Sequence, residues 1–145
     1  MWYEGRQETV DGRQMSYKFQ KLAVYRMALD YVDKVYGCSR DLPLSERFNL
    51  QSQLERAAIS IVLNIAEGST GQSNAEQNRF LGLALRSYLE TIACLDIMER
   101  RGYVGSKVLM EVRGFGHGLF VKLQAFRKAL ETPVPGPRSP VAEDS

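Results

Sequence analysis

The chain has 145 residues, the size of one domain, and its 19 Lys and Arg against 17 Asp and Glu leave a formal charge of only +2. With 44% hydrophobic and 25% charged residues it has the composition of an ordinary globular chain. That excludes a wholly disordered polymer and a global field strong enough to bind nucleic acid or membrane through charge alone. No apolar run approaches the roughly 20 residues that cross a bilayer, and residues 1–15 carry acids without a secretory-type apolar stretch. Cys38 and Cys94 form no Cys-x-x-Cys pair. The expectation is a cytoplasmic protein with reduced, structural thiols and no membrane partner.

In chain order, residues 1–16 mix Gly, Gln and charges and read as a mobile arm in which Trp2 and Tyr3 are the exceptions. Apolar residues then recur at helical spacing from 17 to 131, interrupted three times by Gly, Ser or Pro, which predicts four helices. The first spans Lys18 to Tyr36, with Gly37 placed to end it. Pro43 and Ser45 open the second, which ends at Gly68. Ser73 and Glu76 have the spacing of a capping box for the third, and Gly102 closes it behind the C-terminal cations Arg100 and Arg101. Ser106 starts the fourth, which Pro133 stops; Val108, Val112, Phe115, Leu119, Leu123, Phe126 and Leu130 line one face. Residues 132–145 hold four of the five prolines and read as a disordered tail. Short loops between helices of similar length predict an all-α, antiparallel up-down-up-down four-helix bundle over 17–131.

Two helices are more apolar than a lone bundle needs. The first carries two ridges, Leu22, Tyr25, Leu29, Val32 and Tyr36 beside Val24, Ala28, Tyr31 and Val35. The second is apolar on every side except a strip formed by Arg56, Ser60, Asn64 and Glu67, which at about 100° per residue share roughly 80° of the helix. If the strip is wet, the rest of the helix needs more cover than three neighbours give. If it is buried, its charges must pair, with Ser87 and Glu90 of the third helix as partners. The favoured arrangement is an Arg56–Glu90 or Arg56–Glu67 pair with Ser60, Asn64 and Ser87 completing a structural polar network. Either branch asks for surface beyond one chain and predicts a homo-oligomer.

The residues Phe19-x-x-Leu22-x-x-Tyr25, Leu42-Pro43, Glu46 and Gln53-Leu54-x-Arg56-Ala57-x-x-Ser60-Ile61-x-x-Asn64-Ile65-Ala66-Glu67-Gly68 resemble the 23S ribosomal RNA intervening-sequence protein family. Phe80, Leu81, Ala84, Ser87, Leu89-Glu90 and Gly102-Tyr103 continue the likeness. The resemblance implies a four-helix bundle assembled as a homopentamer, in a family whose members mostly lack an established activity. One branch is similar to the accessory variability proteins of diversity-generating retroelements, basic pentamers that bind a reverse transcriptase and nucleic acid. This chain departs from that branch in its modest charge, and it has Arg86 where the family tends to have Gly.

Enzymatic chemistry finds little footing. The single histidine, His117, has no Ser or Cys beside it in a nucleophile pattern, and no metal-ligand spacing occurs, so neither cofactor nor metal is expected. A small hydrolase would need an open pocket bringing His117 to an acid. Glu67 and Glu90 make a formal acid/base pair, yet Arg56 would hold both ionised. Gly114-x-Gly116-x-Gly118 follows no strand and so lacks the setting of a phosphate loop. Inside a helix those glycines point either to close approach of another backbone or to a local break. The first and fourth helical segments are the basic ones. Lys18, Lys21, Arg113, Lys122, Arg127 and Lys128 would form a phosphate-contacting surface if those helices lie side by side, and fivefold repetition would multiply it. The sequence therefore predicts a non-catalytic homopentameric scaffold, with a nucleic-acid or reverse-transcriptase partner as the alternative.

Overall fold

The computed structural model describes residues 9–10, 13–14, 16–71 and 73–131. The expected arm and the Pro-rich tail, 132–145, lie outside the described residues, apart from Ser16 and two dipeptides. These are Thr9–Val10 (β1) and Arg13–Gln14 (β2), paired antiparallel with Thr9 opposite Gln14. Four helices follow: α1, Ala23–Ser39; α2, Leu50–Gly68; α3, Asn74–Arg101; and α4, Ser106–Glu131. α2 packs on α1 and α3, and α4 also packs on α1 and α3, so the four helices close around one core. No described helix is long and apolar enough to cross a membrane.

Helix ends fixed by local chemistry fall where the sequence places them. The Ser73 hydroxyl accepts from the Glu76 backbone N–H at 3.1 Å, and Gly102 takes the left-handed conformation, φ +70°, that ends α3. Three other boundaries differ. α1 begins at Ala23 and not at Lys18, because Lys18–Lys21 form a 3-10 turn and Leu22 behind it is extended, φ −72° and ψ 132°. α1 runs through Gly37 to Ser39, because Cys38 and Ser39 are buried beyond the glycine and the Ser39 hydroxyl donates to Glu55 Oε2 of α2 at 2.6 Å. α2 begins only at Leu50. Pro43 instead opens a 3-10 turn, Leu44–Glu46, whose Glu46 carboxylate accepts from the Tyr103 hydroxyl at 2.9 Å and from the Leu50 N–H at 3.3 Å.

The core is built from one ridge of α1, not both. Val24, Ala28, Tyr31 and Val35 are buried, whereas Leu22, Tyr25, Val32 and Tyr36 are half-covered and Leu29 is exposed. Tyr31 is the centre of this ridge. Thr91 of α3 gives its proton to the Tyr88 carbonyl at 2.6 Å, so the Tyr31 hydroxyl donates to Thr91 Oγ1 at 2.8 Å. This satisfies both buried hydroxyls, as a dry site requires, and burial pushes the Tyr31 phenol well above its usual range.

The glycines of α4 neither break the helix nor meet another backbone. α4 is continuous, and Gly116 is where it meets two rings: a Cβ there would lie 2.7 Å from Tyr31 Cε1 and 3.0 Å from Tyr88 Cε1. Gly114 has open space around it, and Gly118 would only touch Met27. Tyr88 then stacks on Phe120, with ring centroids 5.4 Å apart, and closes the aromatic layer.

Candidate functional site

α2 and α3 lean together with small polar residues between them, and a cleft of about 530 Å³ opens along their seam. Ser60 and Asn64, one turn apart on α2, form one wall. Leu83, Arg86, Ser87 and Glu90, at helical spacing on α3, form the other. The Ser87 hydroxyl donates to Ser60 Oγ at 2.8 Å, and Asn64 Nδ2 donates to Ser60 O at 2.9 Å and to Ser60 Oγ at 3.1 Å. The core of the expected network, Ser60, Asn64 and Ser87, is therefore assembled.

Its charged members are not. Arg56, Glu67 and Glu90 are exposed, and none of them forms an ion pair among the described residues, so neither the Arg56–Glu90 nor the Arg56–Glu67 pair exists in the subunit. The reason is angular. Ser60 and Asn64 turn toward α3, while Arg56 and Glu67 turn toward solvent, where water solvates them more cheaply than a buried partner would. The strip is thus half seam and half wet face.

Arg86 and Leu83 belong to the cleft although the sequence reading gave them no role there. The signal was present in the series 83, 86, 87, 90, one stripe of α3 opposite the pair 60 and 64. One turn beyond Glu90 on α3, burial and the Glu90 carboxylate push the Cys94 thiol above its usual range. Burial likewise pushes Cys38 from the usual 9.0 to about 11, so both thiols are held protonated.

Two of the six basic residues are engaged by α3. The Arg113 guanidinium reaches Asp96 at 3.0 Å and Glu99 at 2.9 Å, both on α3. Arg127 presents a fork to α3: its Nε and Nη2 donate to Asn78 Oδ1 at 3.0 and 2.7 Å, and its guanidinium lies against Gly82. Lys18, Lys21, Lys122 and Lys128 are exposed. His117 is exposed on α4 beside Phe120 and does not line the cleft. Among the described residues no cluster of His, Cys, Asp and Glu is arranged to hold a metal ion. The cleft offers two hydroxyls, an amide, a guanidinium and a carboxylate, groups suited to hydrogen bonding and ion pairing.

The sequence profile of the 23S rRNA-intervening sequence proteins matches residues 20–114, which includes α1, α2, α3, both cleft walls and the start of α4. The chain belongs to that family. In three dimensions this family member is similar to a protein of unknown function from the S23 ribosomal protein family of Bacteroides thetaiotaomicron. That likeness has a TM-score of 0.67 and 22% identity, and it spans 76% of this chain and 100% of the other. At that identity the likeness establishes the fold alone. No curated protein matches the chain. The Lys122, Arg127 and Lys128 positions fall beyond the matched span, so the family pattern and the basic end of α4 are separate features.

Proposed function

We propose that this 23S rRNA-intervening sequence protein is a non-catalytic assembly subunit whose α2/α3 face seats a second copy of the same chain. The observation that carries the reading is the composition of that face. Leu63 is 61% exposed and Ile59 37% on α2, with Leu89 and Ile97 exposed on α3. Between these apolar residues stand Arg56, Glu67, Arg86 and Glu90, two charges of each sign with no ion-pair partner among the described residues. A surface that is apolar and carries both signs of charge is able to complement another copy of itself. The contacts of Met27 with Gly118 and of Tyr31 with Gly116, which run in opposite senses along α1 and α4, support the up-down helix order. The family resemblance sets the expected copy number at five. Size-exclusion chromatography with light scattering tests this: five 16.4 kDa chains give about 82 kDa, and a mass near one chain at micromolar concentration refutes it.

A second reading is favoured by the exposed lysines at one end of the α1/α4 pair. If α1 and α4 run in opposite senses, Lys18 and Lys21 approach Lys122, and a cytoplasmic nucleic acid or a reverse transcriptase carrying one would meet that edge. Retention on heparin resin that vanishes in Lys18→Ala/Lys21→Ala/Lys122→Ala supports this reading, and absence of retention at low salt ends it.

A further inference from the structure

The most exposed apolar side chains described are Phe48, at 89%, and Leu44, at 79%, both in the α1–α2 connection. They protrude from one end of the bundle. The Tyr103–Glu46 hydrogen bond ties this connection to the α3–α4 connection, and Arg101 lies over the Tyr103 ring, so both connections share that end. Arg47 stands over the Phe48 ring at 5.5 Å. Arg40 at the end of α1 and Lys107 in the first turn of α4 are exposed beside these connections. Of the acids nearby, Glu46 accepts from Tyr103, which with the neighbouring Arg101 holds its carboxyl below the usual range, Glu99 pairs with Arg113, and Asp41 is exposed beside Arg40.

We infer that this tip docks on an anionic membrane surface, with Phe48 and Leu44 entering the interfacial layer and Arg40, Arg47, Arg101 and Lys107 meeting lipid headgroups. An apolar pair ringed by cations is the composition of an interfacial anchor. Phe48 and Leu44 are almost fully exposed and sit in no groove among the clefts described, which suits insertion into a fluid layer, and Leu44 has no ring on which a nucleobase could stack. Arg47 covers one face of Phe48 and has the length to keep its charge at headgroup level while the ring goes deeper. The chain's small global charge does not oppose this, because the two connections carry Arg40, Arg47, Arg100, Arg101 and Lys107 against Asp41, Glu46 and Glu99, an excess of cations where the apolar residues project. The inference is independent of the α2/α3 assembly face, although several tips on one particle would strengthen attachment.

The test uses the full chain with vesicles of equal parts phosphatidylglycerol and phosphatidylcholine, against phosphatidylcholine alone. Co-sedimentation with the anionic vesicles is expected, and Leu44→Ser/Phe48→Ser lowers partitioning by about tenfold or more while circular dichroism and particle mass stay unchanged. A Phe48→Trp variant in a Trp2→Phe background reads insertion directly, as a blue-shifted emission on anionic vesicles only. No co-sedimentation at low salt overturns the inference, as does binding that the double substitution leaves intact. A fall in particle mass on that substitution would assign the tip to contact between copies, and tighter binding to single-stranded RNA, lost with Phe48, would assign it to base stacking. Either outcome overturns the membrane reading.

Discussion

Gly116 is the residue on which the packing of α4 most directly depends. The Cβ of an alanine would enter the space of Tyr31 and Tyr88, whose rings are fixed by the Tyr31–Thr91 hydrogen bond and by Phe120. Gly116→Ala is predicted to destabilise the fold by about 1–3 kcal/mol through overpacking. Gly114→Ala, two residues away in open space, should stabilise it by up to about 1 kcal/mol through helix propensity. Urea denaturation of both variants checks the pair, and equal effects would refute the close-approach account. The thiols supply a second prediction. Cys38 and Cys94 should react slowly with a thiol reagent near neutral pH and rapidly in denaturant. For Cys38 the folded value, about 11, lies above the ordinary 9.0. Its contribution to stability is therefore complete below pH 9 and is lost as pH rises toward 11, because the unfolded chain releases the proton first. A pH series of denaturation midpoints reads this loss.

Among the helices, the contrast between legible and illegible boundaries follows from the range of the forces. Ser73 and Gly102 act on backbone within a few residues of themselves, so their roles could be read from the sequence. Gly37 and Pro43 looked equally informative and were misleading, because the decisive contacts came from elsewhere, Glu55 for the end of α1 and Tyr103 for the late start of α2. Arg127 makes the same point on α4. Read in the chain it is a free cation, and in the fold it is a fork on Asn78 lying over Gly82. Arg127→Ala is accordingly expected to lower stability by about 1–2 kcal/mol, and Arg127→Lys should not restore it, since an ammonium cannot replace the planar fork. If thermal denaturation shows no change while heparin retention falls, Arg127 is a phosphate contact and the structural role is wrong.

For the whole molecule, what matters is which apolar residues one subunit hides. Val24, Tyr31 and Val62 are covered within the chain, and Ile59 and Leu63 are not. The surplus of apolar helix surface is therefore smaller than the sequence pattern indicates; it includes Ile59 and Leu63 on α2 and Leu89 and Ile97 on α3, and further exposed residues stand on α4, at Val108, Met110 and Val121, and on α1, at Leu29. Ile59→Ser/Leu63→Ser should leave the helical circular dichroism intact and reduce the light-scattering mass toward 16.4 kDa. A retained large mass would place the contact between copies elsewhere.

The four helices, most of the apolar positions that fill the core, the caps of α3 and the family are legible in the residues, because each is a matter of local backbone chemistry or of a long residue pattern. Packing between helices settles which ridge of α1 faces inward, that Arg56 stands in water while Ser60, Asn64 and Ser87 join across the seam, and that Arg86 completes the cleft. Those outcomes depend on the rotation of each helix about its own axis. That angle is fixed by the fit of side chains such as Tyr31 against Gly116 between helices far apart in the chain, a fit that no single stretch of residues encodes.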